Sequence, residues 1–177
     1  AGPLAAEGLA LLKQLRGDLH THTDASDGSA TIEASRAAAT ALGHEYLAIT
    51  DHSPRLTVAN GLSVERLQHQ LDRLLSGIEV DILTDGGLDQ TSAMLAKLDV
   101  VVASVHSKLR MPPEQMTLRM VAAIANPFTN ILGHCTGRLI TGGRGARPQS
   151  TFDADVVFEA CRQFDVAVEI NSRPERA

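Results

Sequence analysis

The chain has 177 residues, 44% of them hydrophobic and 21% charged, the make-up of one ordinary globular domain. Sixteen Lys and Arg against 21 Asp and Glu leave a formal charge of −5, which argues against a chain living mainly on bulk attraction to nucleic acid or membrane, since such binding runs on surplus positive charge. Aromatic residues make up 3% with no Trp, and the two cysteines are Cys135 and Cys161; a base-stacking platform and a disulfide scaffold are both disfavoured, and a reducing, cytoplasmic setting is expected.

Apolar spacing predicts a helix over 4–15 and a strand over 17–22. An Ala-rich helix follows over 31–42, with Ser29 or Thr31 as its cap and Gly43 as its stop. A strand is expected over 46–50, and a helix over 64–75 with Leu67, Leu71, Leu74 and Leu75 on one face. Further strands are expected over 78–83, 100–105, 130–133 and 166–170. Helices are expected over 88–95, 114–125 and 153–164, and a Gly/Arg-rich loop over 136–150. No run reaches about 18 apolar residues, so no membrane span is expected, and no basic-then-apolar leader opens the chain. Strands alternating with helices imply a parallel α/β sheet, either a barrel or a doubly wound sheet. Both place their sites beyond the C-terminal ends of the strands.

The reactive residues cluster there. His20 and His22 close the first predicted strand, two apart and so on one face. Asp27 lies in the next loop, His52 follows the second strand, and Glu79 sits in the third. His106 and His134 end the fourth and fifth. Imidazole and carboxylate suit Zn²⁺, Mn²⁺ or Fe²⁺, and seven such groups exceed one tetrahedral site. Clustered divalent metals clamp the attacking and leaving oxygens of a phosphate ester and acidify water. The pattern therefore points to phosphoester hydrolysis without a side-chain nucleophile. His44 and His69 fall away from strand ends and are expected to face solvent; Cys135 and Cys161 read as buried thiols.

Asp18-Leu19-His20-Thr21-His22 with Ser26-Asp27-Gly28, Thr50-Asp51-His52-Ser53, Gly77-Ile78-Glu79, Ser104-Val105-His106-Ser107 and Leu132-Gly133-His134 resemble, in order and placement, the PHP (polymerase and histidinol phosphatase) family. The runs 51–62 and 133–138 are similar to the branch attached to bacterial family X DNA polymerases and its polymerase-less relatives. The resemblance implies a distorted seven-stranded, TIM-like (β/α) barrel with two or three divalent metals (Zn, Mn or Fe). It implies that His20, His22, Asp27, His52, Glu79, His106 and His134 are metal ligands, with Glu79 bridging. Residues 16–177 would be the phosphoesterase domain and 1–15 a helix or linker. The implied substrates are phosphate esters, with DNA 3′ ends preferred and histidinol-phosphate-like monoesters as the alternative; the implied partner is a polymerase domain in a longer gene product. A non-catalytic metal-binding module is the third reading.

Two departures stand out. The family's last strand carries an Asp-x-His pair, and none follows Glu169-Ile170-Asn171-Ser172, so the last strand is expected to be missing. The predicted helix 64–75 also runs into Gly77 with almost no connection, where the family has a longer passage. On the substrate side, Arg55, Lys108, Arg110, Arg138, Arg144 and Arg147 fall in loops after strand ends. Guanidinium groups bind phosphate bidentately; Arg55, Arg138 and Arg144, with the Lys108 ammonium, are the candidates to hold the substrate phosphate. Arg138 joins His20, His22, Glu79 and His106 as the expected catalytic set. Asp18, Asp51 and Asp81 are candidates to orient a ligand imidazole, and Asn171 to bond a substrate oxygen.

Overall fold

The computed structural model of the chain describes residues 10–11, 13–70, 75–141, 145–171 and 175–176, the side chains of 69 and 75 excepted. The strands are β1 (Gly17–Thr21), β2 (Tyr46–Ile49), β3 (Leu75–Asp81), β4 (Val100–Ser104), β5 (Ile131–Leu132) and β6 (Ala167–Val168). They form one sheet in the order β1-β2-β3-β4-β5-β6, and every neighbouring pair is parallel. A doubly wound sheet reverses its strand order at a switch point; this one never does. The architecture is a partial α/β barrel with six strands, and a seventh strand is not among the described residues.

The helices are α1 (Ile32–Ala41), α2 (Val64–Gln70), α3 (Ser92–Leu95), α4 (Pro113–Ile124) and α5 (Ala154–Gln163). Side-chain oxygens begin three of them. Thr31 accepts from the Ala34 N–H, Thr91 from Met94 and Asp153 from Val156, satisfying donors that an isolated helix end leaves orphaned. Proline opens α4, where its missing N–H costs nothing.

Alternation along the strands sorts the core into two faces. Ile78 and Val80 of β3 and Val101 and Ala103 of β4 pack in the main cluster with Met116, Met120, Ala123 and Ile124 of α4 and Val157, Ala160 and Cys161 of α5. Val100 and Val102 turn the other way and pack with Ala48 and Ile131. Every residue of β4 is buried, as a strand covered on both faces must be. By the same alternation Gly77, Glu79 and Asp81 belong to the inner face, and Glu79 pairs in register with Val102. Gly133 lets β5 approach β4 closely: a Cβ there would lie 2.2 Å from Ser104 Oγ. That approach brings the next residue, His134, to the strand ends.

The boundaries differ from expectation where sheet bonding overrides local pattern. Of the helix expected over 64–75, Val64–Gln70 is helical and 71–74, with Leu71 and Leu74, lie outside the described residues; Leu75 and Ser76 pair with Ala48 and Ile49 instead. Ser76 and Gly77 are consecutive residues of β3. Only the last four residues of 88–95 are helical, because Leu88 forms an antiparallel bridge with Ile82. Of the helix expected over 4–15, residues 10–11 are helical and 13–14 form a turn; the rest of its first eleven residues lie outside the described residues. Among the described residues no helix is long and apolar enough to cross a membrane.

Candidate metal centre

Each strand delivers its polar residue at the C-terminal end, and the curl of the sheet brings those ends together. Glu79, 1% exposed, lies at the centre. Its Oε1 is 2.9 Å from His134 Nε2 and 3.3 Å from His106 Nε2. Its Oε2 is 2.9 Å from His52 Nδ1, 3.3 Å from His22 Nε2 and 3.4 Å from His20 Nε2. One buried carboxylate thus faces five imidazoles from four other strands or strand ends. Asp27 adds a second carboxylate on the outer side, 2.9 Å from His22 Nδ1 and 3.5 Å from His52 Nε2.

The charges are mutually dependent. Burial alone would raise the Glu79 carboxyl, but His106, His134, His20 and His22 outweigh it and hold it well below the usual carboxylate range. Burial alone would lower His20, yet Glu169 and Glu79 flank the ring and push it up to about 10. His106 is likewise lowered by burial but carried up to about 9 by Asp81 and Glu79. His134 goes the other way: its burial outweighs the pull of Glu79, and Arg176 and His106 add repulsion.

Several ligand atoms point inward without finding a partner. His20 Nε2 and His52 Nδ1 are buried and make no hydrogen bond, although Glu79 oxygens lie 3.4 and 2.9 Å away. His106 Nδ1 and His134 Nδ1 are also buried without a bond. A buried polar atom left unbonded is costly, and nitrogen lone pairs converging with carboxylate oxygens make a donor set for borderline divalent metals. Among the described residues three groups bring their ligand atoms within 4.8 Å of one another: His20, His22 and Glu79; His22, Asp27 and His52; His52, Glu79 and His106. The residues present therefore fit the binding of more than one metal ion.

The loops around this cluster are built on two further carboxylates. Asp51 is fully buried and accepts four bonds: from Thr23 N at 2.7 Å, Thr23 Oγ1 at 2.7 Å, Ser26 Oγ at 2.5 Å and Gln70 Nε2 at 2.5 Å. It ties the loop carrying Asp27 to the end of β2, and none of its bonds goes to an imidazole. Asp81 does serve a histidine: its Oδ1 accepts from the His106 backbone N–H at 3.1 Å and lies 3.4 Å from His106 Nδ1. Arg119, 2% exposed, donates to the carbonyls of Ile82, Leu83 and Ser107, tying α4 to the loops after β3 and β4.

All seven expected ligands come together. The supporting residues are placed differently. Asp18 is exposed and accepts from the His20 backbone N–H at 2.9 Å rather than from a ring. The ring of His20 is instead bonded through Nδ1 to Glu169, 3.0 Å away, a residue the sequence reading passed over. Its signal was present: a carboxylate at the end of the sixth strand, two residues before Asn171. Asn171 itself donates to Glu169 at 2.9 Å. His44 is half-buried rather than solvent-facing, and Cys135 is half-buried against the main core. Arg55 is exposed and bound to Asp89 at 3.1 Å, and Lys108, Arg110 and Arg138 are exposed. Arg147 donates to the Gly137 carbonyl at 2.7 Å. Arg144, and the His69 side chain, lie outside the described residues.

A model of the PHP domain family matches residues 18–173. The chain is 40% identical, over an alignment of 177 residues, to the DNA polymerase/3′-5′ exonuclease PolX of Bacillus subtilis (strain 168), covering 93% of this chain and 30% of that protein. It is 30% identical over 166 residues to a probable phosphatase of Thermoanaerobacter sp. (strain X514), covering 88% and 64% respectively. A probable phosphatase of Aliivibrio fischeri is 32% identical over 165 residues, with 88% and 62% covered. The chain thus spans less than two thirds of the length of these relatives.

Proposed function

The chain belongs to the PHP domain family, and from that premise we propose that residues 16–177 form a metal-dependent phosphoesterase domain. The observation that carries this reading is Glu79, buried and faced by five imidazoles within 3.4 Å. In this reading His20, His22, Asp27, His52, Glu79, His106 and His134 would hold two or three divalent ions, with Glu79 at their centre. Bound there, such ions supply Lewis acidity toward a phosphoryl oxygen and make a nucleophile of water at neutral pH.

The chain's own groups do the rest. Glu79 offsets the charge gathered at the centre and separates the imidazoles of β1 from those of β4 and β5. Asp81 holds His106 by its backbone N–H, and Asp51 holds the loop that carries Asp27. Exposed Arg138 and Lys108 receive the substrate phosphate; Arg55 contributes once released from Asp89. No side chain attacks phosphorus.

The substrate we favour is a DNA 3′ end, supported by the 40% identity to a protein named as a 3′-5′ exonuclease. A small phosphomonoester is the second reading, supported by relatives named probable phosphatases and by the formal charge of −5. Elemental analysis of chelator-free protein, with Mn²⁺-supported hydrolysis of p-nitrophenyl phosphate and of a 3′-labelled oligonucleotide, tests the reading. Two or three metals per chain with turnover is expected, and faster release from the oligonucleotide selects the nuclease. Bound metal without turnover on either substrate would leave only a metal-binding module.

A further inference from the structure

The geometry points to Glu169 as the positioning residue of the metal centre: it sets the ring of His20 and ties the last described strand to the first. Its purpose depends on the metal reading above; its contacts do not. Glu169 directly follows β6, one edge of the sheet, and His20 lies in β1, the other edge. No backbone ladder joins those two edges among the described residues. Across that seam Glu169 Oε1 bonds His20 Nδ1 at 3.0 Å. Its Oε2 accepts the backbone N–H of His134, at the end of β5, at 2.5 Å. Asn171 Nδ2 donates to Oε1 at 2.9 Å. The side chain is 13% exposed, and each oxygen has a donor.

A carboxylate accepts and cannot donate. The bond to Glu169 therefore keeps a proton on His20 Nδ1. With that proton on Nδ1, Nε2 is the nitrogen whose lone pair would be offered to a metal. Nε2 is the buried atom without a hydrogen bond, aimed at Glu79. The pairing thus selects the tautomer and the ring orientation that the centre needs, as carboxylates behind metal-bound histidines do. The same carboxylate fixes where the chain turns at His134, so two ligands on separate strands share one support. Asp18, the nearer candidate in sequence, is occupied by a backbone N–H and exposed.

Glu169→Gln tests this, because it keeps the shape while its amide has one acceptor oxygen for donors that now come from two sides. Zinc affinity is measured by competition with a chelator, and the His20 ring by long-range proton–nitrogen NMR. The wild-type chain loaded with zinc should show His20 protonated at Nδ1 and bare at Nε2. Folded Glu169→Gln should bind zinc about 10–100-fold more weakly. A purely structural Glu169 would lower the unfolding midpoint and leave the zinc affinity of the folded variant unchanged; affinity within twofold of wild type overturns the assignment. So does a zinc-loaded wild type with the proton on Nε2, a result that decides the matter even if the variant fails to fold. If wild type binds zinc, the variant binds it weakly and neither substrate is hydrolysed, Glu169 keeps its role and the phosphoesterase reading falls.

Discussion

Replacing Glu79 with Gln removes one charge and almost no volume, and the structure sets what that should cost. The carboxylate is 1% exposed and faces five imidazoles at 2.9–3.4 Å. Stripping one partner from a buried ion pair costs about 3–5 kcal/mol, because the remaining charge is left uncompensated. The penalty must depend on pH. His20 and His106 are raised from 6.5 to about 10 and about 9 in the folded chain. A raised histidine contributes stability that is fully present below its unfolded value and lost as pH rises through its folded value. The same pairing holds Glu79 low, so its contribution spans the range between about 4.5 and 10. Denaturant unfolding of metal-free wild type and Glu79→Gln should therefore differ by about 3–5 kcal/mol at pH 6. At about pH 11, above both raised values, the difference should fall to about 1 kcal/mol, the worth of an ordinary hydrogen bond. An equal penalty at both pH values would refute the charge pairing and leave only a packing role for Glu79.

Three further outcomes are expected. Adding Zn²⁺ to metal-free protein at pH 7 should release about two protons per chain, since His20 and His106 are protonated there and a ligand nitrogen must be bare; a pH-stat trace without release would contradict the raised values. Asp51→Asn exchanges an acceptor of four bonds for one that also donates, and should cost about 2–3 kcal/mol by denaturant unfolding. Amide exchange at Thr23 should quicken with it, and unchanged protection there would mean that Asp51 does not hold the Asp27 loop. Arg138→Ala should raise KM for a phosphate ester at least about 10-fold, the worth of roughly 1.4 kcal/mol, while zinc affinity stays the same; equal loss of both would remove Arg138 from the substrate side.

Much of the site was legible because the candidate ligands repeat at one structural position. His20, His22, His52, His106 and His134 each close a short apolar run, and a parallel α/β sheet puts such ends on one side. The helix 64–75 misled for a related reason. Leu71, Leu74 and Leu75 keep helical spacing, but Leu75 is claimed by the ladder to Ala48, a contact about 27 residues away that local spacing cannot encode. Asp18 was a candidate because it shares a strand face with His20 and His22, and Glu169 was passed over. In the fold Asp18 accepts from the His20 backbone N–H, and Glu169, 149 residues from His20, reaches the ring.

Composition, strand-end chemistry and the alternation of strands with helices by themselves determined the parallel α/β class and the seven ligand candidates, and the order of the motifs carried the resemblance to the family. Those properties depend on local periodicity and residue type, which the chain carries at every position. Tertiary structure alone decided which carboxylate supports which histidine, that Glu79 stands at the centre of five rings, and that the first and sixth strands meet through a side chain. Such contacts join residues far apart in sequence, and only the curl of the sheet sets their distances.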